Sequence, residues 1–184
     1  MEKPDFKAFQ KIPRYSREVL ITEKIDGTNG VICVNDTGDD LIAGSRNKWI
    51  TPTDDNAGFA KWVEANKIEL LTLGPGLHYG EWWGPGIQRG YGLKEKKFSL
   101  FNVSKWSDDE TRPKCCSVVP TLWTGSMDFI DFGISESINL LSLNGSQCSP
   151  GFMRPEGIVI FHTAGGYLFK KTLEGDEKPK GSKE

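Results

Sequence analysis

The sequence predicts a single mixed domain in which strands outnumber helices. Three observations carry this. The 184 residues suit one ordinary domain and are enough to bury a real core. Strand-like apolar runs follow one another through short, turn-rich links. Beyond residue 20, the segments 54–74 and 126–144 read as helical, the second weakly. There is no internal repeat and no sign of a second domain, so 1–184 is expected to be one unit, with 173–184 a frayed polar tail.

Taken in order, residues 1–20 read as an irregular arm or a short helix. Strands are expected near 19–24 and 29–35, the second running into a turn at "NDTGDD". "LIAGSR" (41–46) is a third strand, placed to form a hairpin with the second. In "DDNAGFAKWVEANKIELLTLG", Phe59, Trp62, Val63 and Leu70 lie at helical spacing between an acidic start and Gly74. "LHYGEWWG" (77–84) is a buried strand that runs into the glycine-rich "GPGIQRGYG". Further strands are expected over 96–106 and 115–125, with Pro120 marking an edge or an end. Residues 155–172 read as a hairpin turning at Gly165-Gly166.

Composition narrows the function classes. Hydrophobic residues make up 37% and charged residues 26%, and no apolar stretch approaches a membrane span or a signal-peptide core. The expected location is the cytoplasm, or the host cytoplasm for a viral chain. Cys33, Cys115, Cys116 and Cys148 lack zinc-site spacing and read as reduced, mostly buried thiols. His78 and His162 read as incidental strand residues. The net charge is −2, whereas proteins that hold nucleic acid by bulk electrostatics are usually basic. Any such role here needs a local cluster, for which Arg46, Lys48, Arg89, Lys94, Lys96 and Lys97 are candidates.

The chemistry centres on "ITEKIDGTNG". Lys24 stands at the junction of two expected strands, with Asp26 two residues on and Gly27 for a tight turn. A lysine attacks only as the neutral amine, and its reference pKa is about 10.4, so it needs burial, nearby cations or a metal. Taken alone, the tetrapeptide is equally an exposed strand-end lysine before an ordinary Asp-Gly turn. Further along stand Arg46 past a strand, Glu81 in an apolar run, Phe98 and Phe101, Glu156 at a strand start, and Lys170 with Lys171 at a strand end. A carboxylate in such a run is costly without a partner. Together these residues can take a nucleotide: an aromatic face for the base, carboxylates for ribose hydroxyls and metal, cations for phosphates.

In this order, "KIDG", "GSR", "FSLFNV", "EGIVI" and "LFKK" resemble the motifs of the lysine nucleotidyltransferases, which comprise ATP-dependent DNA ligases, RNA ligases and mRNA capping enzymes. "EKIDGTN", "YGEWWGPGIQRG" and "EGIVI" are most similar to the phage-type RNA ligase 2 branch. The resemblance covers about residues 20–172. It implies an α+β nucleotidyltransferase core of antiparallel sheets flanked by helices, with no OB-fold domain. It further implies that Lys24 takes AMP from ATP, using Mg2+ or Mn2+ held by Glu156, with Lys170 and Lys171 at the α-phosphate. Glu23 would lie beside the adenine and read it mainly through its backbone. Asp26 and Asn29 would line the site, Arg46 and Glu81 would contact the ribose or adjoining phosphate, and Phe101 would stack on the base. The implied partners are RNA ends, a 5′-phosphate and a 3′-hydroxyl, with DNA also open and no membrane.

Two positions depart from the family pattern. Asn102 replaces an expected acid after Phe101, and the two lysines are adjacent, so alternation lets only one face the site. The pattern of residues leaves open which one. It also leaves open whether "WWGPGIQRGYG" is packing and turn or a nucleic-acid contact with Arg89 on phosphate. The rival functions are a minimal ATP-dependent DNA ligase and a nucleotide- or RNA-end-binding module without turnover.

Overall fold

In the computed structural model, which describes residues 5–176, ten strands sort into two sheets. The first contains β1 (Glu18–Lys24), β8 (Thr121–Ser126), β9 (Gly157–His162) and β10 (Tyr167–Thr172), in the spatial order β10-β9-β1-β8 and antiparallel throughout. The second contains β2 (Thr28–Val34), β3 (Leu41–Gly44), β4 (Trp49–Ile50), β5 (Gly76–Trp83), β6 (Lys97–Leu100) and β7 (Cys116–Val118), in the order β4-β3-β2-β5-β6-β7. Only its β6–β7 pair is parallel. Neither sheet closes into a barrel, and the mixed α+β core agrees with the expected class. No helix among the described residues is long and apolar enough to cross a membrane.

Alternation along β1 places Val19, Ile21 and Glu23 on one face, all essentially without solvent contact. Val19 and Ile21 pack with Ile158 and Ile160 of β9 beneath α4 (Ile130–Asn144). Ile130, Ile134, Ile138 and Leu141 recur at helical spacing, so the segment expected to be weakly helical forms a full amphipathic helix. In the second sheet, Ile32, Ala43, Ile50, Trp82, Phe98 and Leu100 share the opposite kind of face. They pack against α1 (Phe59–Ala65) and α2 (Lys67–Leu70).

Several expected elements change at identifiable residues. The helix expected over 54–74 begins only at Phe59, because Ala57 and Gly58 take positive φ and the Asp55 carboxylate accepts the Ala60 amide. It breaks at Asn66, whose side chain donates to the Trp62 carbonyl at 2.7 Å and competes with the helical ladder. A strand was expected over 96–106, but β6 stops at Leu100. Asn102 caps the short α3 (Val103–Trp106) by accepting from the Lys105 amide at 3.1 Å. The strand expected over 115–125 divides at Val119-Pro120, and its halves enter different sheets. Pro120 therefore marks an end, as expected. The two-residue β4 was not anticipated.

The chain crosses between the sheets at residues 25–27 and again at 119–120, and Pro120 accepts the Glu23 amide at 2.9 Å. Ile25, Trp83, Tyr91 and Val119 fill a small core at this seam. The end of β1 is therefore wedged where the sheets meet. Of the tail expected to fray, residues 173–176 fold back: Leu173 donates to the Glu156 carbonyl, and Asp176 accepts from the Thr172 amide. Residues 177–184 of that expectation lie outside the described residues.

Candidate active site

Lys24 is the last residue of β1 and pairs across the ladder with Gly157 of β9. This places its ammonium beside Glu156, the residue preceding β9, with Nζ donating to Oε2 at 2.7 Å. The lysine side chain is 22% exposed and the glutamate 5% exposed, so the pair has a dry floor and an open top.

The turn that follows is braced from several directions. Gly27 has no room for a side chain, since a Cβ there would lie 2.5 Å from the Trp82 carbonyl oxygen. Its amide donates to Oε1 of Glu81 at 3.0 Å, and the Asn29 amide nitrogen donates to Oε2 at 3.1 Å. Burial pushes the Glu81 carboxyl up to about 7, opposed by Lys24 and by the Gly27 amide. Asp26 donates its backbone amide to the Tyr91 hydroxyl at 2.8 Å, and its Oδ2 accepts from Nε of Arg89 at 3.0 Å. Nη1 of Arg89 also donates to the carbonyls of Arg154 and Pro155, at 2.9 and 3.2 Å. One guanidinium thus ties the "KIDG" turn to the segment that delivers Glu156.

That placement answers the question left by "GPGIQRGYG". Tyr91 is buried, with φ of 54°, between Gly90 and Gly92, and packs edge-on against Trp83 and tilted against Phe152. The segment is a packed brace, and Arg89 is committed within the fold. Tyr91 was missed as a site residue. Its signal was the Gly-Tyr-Gly pattern, which lets an aromatic adopt a left-handed backbone and turn inward.

The register also separates the paired lysines. Residues opposite one another on neighbouring strands share a face, and two-residue steps preserve it. Lys170 aligns with Val159 and Thr22, one step from the Thr172–Gly157–Lys24 row, so it shares the face of Lys24. Lys171 aligns with Ile158 and Glu23 on the opposite face, where its Nζ lies 3.4 Å from Asp176.

Glu23 also points away from Lys24. Its buried carboxylate accepts the amides of Gln147 and Cys148 at 2.7 and 3.1 Å. Burial and this carboxylate push the Cys148 thiol up. Arg46 is exposed in the β3–β4 turn, and its side chain has no hydrogen-bond or ion-pair partner among the described residues. Phe101 is 40% exposed just past β6. Asn102, at the position expected to be acidic, is occupied as the α3 cap. Within the expected local cation patch, Lys48 is paired with Asp54 and Lys96 donates to the Ala57 carbonyl. Both imidazoles are tied to backbone carbonyls, His78 to Gly74 and His162 to Tyr15.

The family model for RNA ligase matches residues 17–172, most of the chain. The chain belongs to the RNA ligase family. Solved structures of the Naegleria gruberi RNA ligase agree with the fold. A point variant with ATP and Mn has a TM-score of 0.61 at 21% identity, covering 88% of this chain and 52% of that one. The same ligase with PPi gives 0.60 at 22% identity, over 85% and 50%. A variant with AMP and Mn gives 0.58 at 20% identity, over 86% and 50%. This RNA ligase domain therefore spans about half the length of the ligases it resembles. No curated protein matches the chain.

Proposed function

We propose that the protein is an ATP-dependent RNA ligase that carries AMP on Lys24, transfers it to a 5′-phosphate end and joins that end to a 3′-hydroxyl. The observation that carries this reading is the 2.7 Å pairing of Lys24 with buried Glu156, beside a turn held by Glu81. The Naegleria ligase structures with ATP and Mn, AMP and Mn, and PPi support the same reactants here.

In the first step Nζ of Lys24 attacks the α-phosphorus of ATP. The N–P bond forms as the bond to pyrophosphate breaks. An ammonium has no lone pair, so a proton must leave Nζ first, and Oε2 of Glu156 is placed to hold it. Lys170, on the same face, supplies positive charge to the phosphate oxygens, as does Arg46 from the second sheet. Lys171 belongs to the opposite face and has no part in this step.

Glu81 and Asn29 receive the ribose hydroxyls or adjoining phosphate, and the open ring of Phe101 stacks on the adenine. Asp26 keeps the turn in shape through Arg89 and Tyr91. Glu23 offers the base only its backbone.

The donor set suits a divalent ion bound largely through phosphate oxygens. The described residues contain no group of three or more metal-ligating side chains, and magnesium commonly takes only one or two carboxylates beside a nucleotide. Glu156 would hold it, and when bound it supplies positive charge at the transferring phosphoryl group.

In the second step a 5′-phosphate oxygen attacks the phosphorus of lysyl-AMP and the N–P bond breaks. In the third a 3′-hydroxyl attacks the 5′-phosphate, loses its proton and expels AMP. The test is incubation with labelled ATP, then GTP, followed by separation on a denaturing gel. Covalent label from ATP that vanishes in Lys24→Ala is expected, and label that survives the substitution removes the reading. Sealing an all-DNA junction as fast as one with a terminal ribose would move the protein to the DNA ligase function.

A further inference from the structure

We propose that Trp49, with Tyr79 beside it, forms a stacking shelf for bases of the polynucleotide strand, next to the nucleotide site and separate from it. The inference rests on the nucleotide-site reading above.

Strand register places the shelf. Asn29 lies opposite Glu81, and two residues further along the same strands Val31 lies opposite Tyr79. Val31 is opposite Gly44, Gly44 is opposite Trp49, and the Phe101 amide donates to the Tyr79 carbonyl at 2.9 Å. One rung therefore runs Trp49, Gly44, Val31, Tyr79, Phe101. Two-residue steps keep the face, so this rung shares the side of the sheet that carries Glu81 and Asn29. The next rung continues with Ile42, Cys33 and Leu77. The other side of the sheet is the one packed under α1 and α2.

The rung is apolar yet open to water. Trp49 is 53% exposed and Tyr79 56%, while Val31 between them is buried. Gly44 explains how the indole is held. A Cβ there would lie 2.9 and 3.1 Å from Cε3 and Cζ3 of Trp49, and 2.6 Å from Cγ1 of Val31. The six-membered ring of the indole thus lies across bare backbone, and any side chain at Gly44 would lift it. Its far surface remains available to a ligand.

The occupant that fits is a row of nucleobases. The shelf begins at the rung of Phe101, so a strand lying on it is delivered beside the nucleotide. The chain has a net charge of −2, and within the candidate cation cluster Lys48 pairs with Asp54, Arg89 with Asp26, and Lys96 donates to the Ala57 carbonyl, which leaves Arg46, Lys94 and Lys97 for phosphates. Stacking adds to these few contacts a hold that tolerates any base sequence.

The test compares Trp49→Ala and Trp49→Phe with the unaltered full chain. Three readouts are taken: self-adenylation with ATP, binding of a short 5′-phosphorylated single-stranded oligoribonucleotide by fluorescence anisotropy at several salt levels, and oligomeric state by light scattering. Self-adenylation should be unchanged in both variants. Oligonucleotide affinity should fall about 10-fold in Trp49→Ala and recover largely in Trp49→Phe. The slope of log affinity against log salt should be the same in all three, because stacking neutralises no phosphate. Unchanged affinity, or a changed slope, overturns the shelf. So does a wild-type dimer that Trp49→Ala dissociates, which would make the surface a protein interface. Failure of the unaltered chain to self-adenylate would count against the nucleotide-site reading alone, since the binding arm still reports on the shelf.

Discussion

The turn after β1 and the exposed cations Lys170 and Arg46 are built on opposite plans. Around Asp26 and Gly27 each polar group has its partner: Tyr91 and Arg89 for Asp26, Glu81 for Gly27, Glu156 for Lys24. Lys170 stands exposed on the edge strand β10, and Arg46 stands exposed in the β3–β4 turn. On the proposed mechanism the Lys24 nucleophile is thus held before a nucleotide binds, where a small displacement would be costly to the rate. In the same mechanism the two cations are ordered only when phosphates bind, at a cost in side-chain entropy.

The largest effect should come from breaking the held side. Glu156→Ala removes the partner of Lys24 and should slow single-turnover adenylation by about 100-fold or more. Retention of near-normal rate would show that the pair is only structural. On the exposed side, Lys170→Ala should slow adenylation by about 10- to 100-fold, and Lys171→Ala by less than about threefold. Equal, small losses in a labelling time course would make both lysines a solvated edge.

Glu81 offers a pH test of the held side in ligand-free protein. Its folded-state value is raised to about 7 from 4.5, so the fold favours the protonated form. Its stabilising contribution is complete below about 4.5 and is lost as pH rises toward 7. Relative to Glu81→Gln, the wild type should therefore lose about 2 kcal/mol across that window, measured by denaturant titration at each pH. A flat difference would mean that water reaches the carboxylate. The smallest effect is expected from Tyr91→Phe, which removes the acceptor of the Asp26 amide and should cost about 1 kcal/mol of stability. Equal melting of the two proteins would remove Tyr91 from the brace.

Much of the site was legible because its residues sit beside strong local signals. The "KIDG" turn, the apolar run before Glu81 and the strand start at Glu156 each announce their element, and all three come together at the sheet seam. Local pattern failed where a side chain competes with the backbone. Asn66 and Asn102 have ordinary propensities, yet one breaks a helix and the other starts one, because each bonds a particular main-chain group. The division at Pro120 was signalled, but its consequence was not: the two halves of the run pair with β6 and with β1, strands far apart in sequence.

The sequence by itself determined the mixed class, the order of the chemical groups and the rule that only one of Lys170 and Lys171 can face the site. These depend on composition, spacing and the two-residue period of a strand, all of which are local. Only the tertiary structure decided that Lys170 is the one sharing the face of Lys24, because that depends on the register of β10 against β9 and of β9 against β1. It likewise decided that Arg89 binds Asp26 rather than standing free, and that the carboxylate of Glu23 turns toward Gln147 and Cys148. Each is a long-range pairing between groups that carry no mark of one another in the chain. Burial forces polar groups to find partners, and which partners are within reach is settled only when the sheets have met.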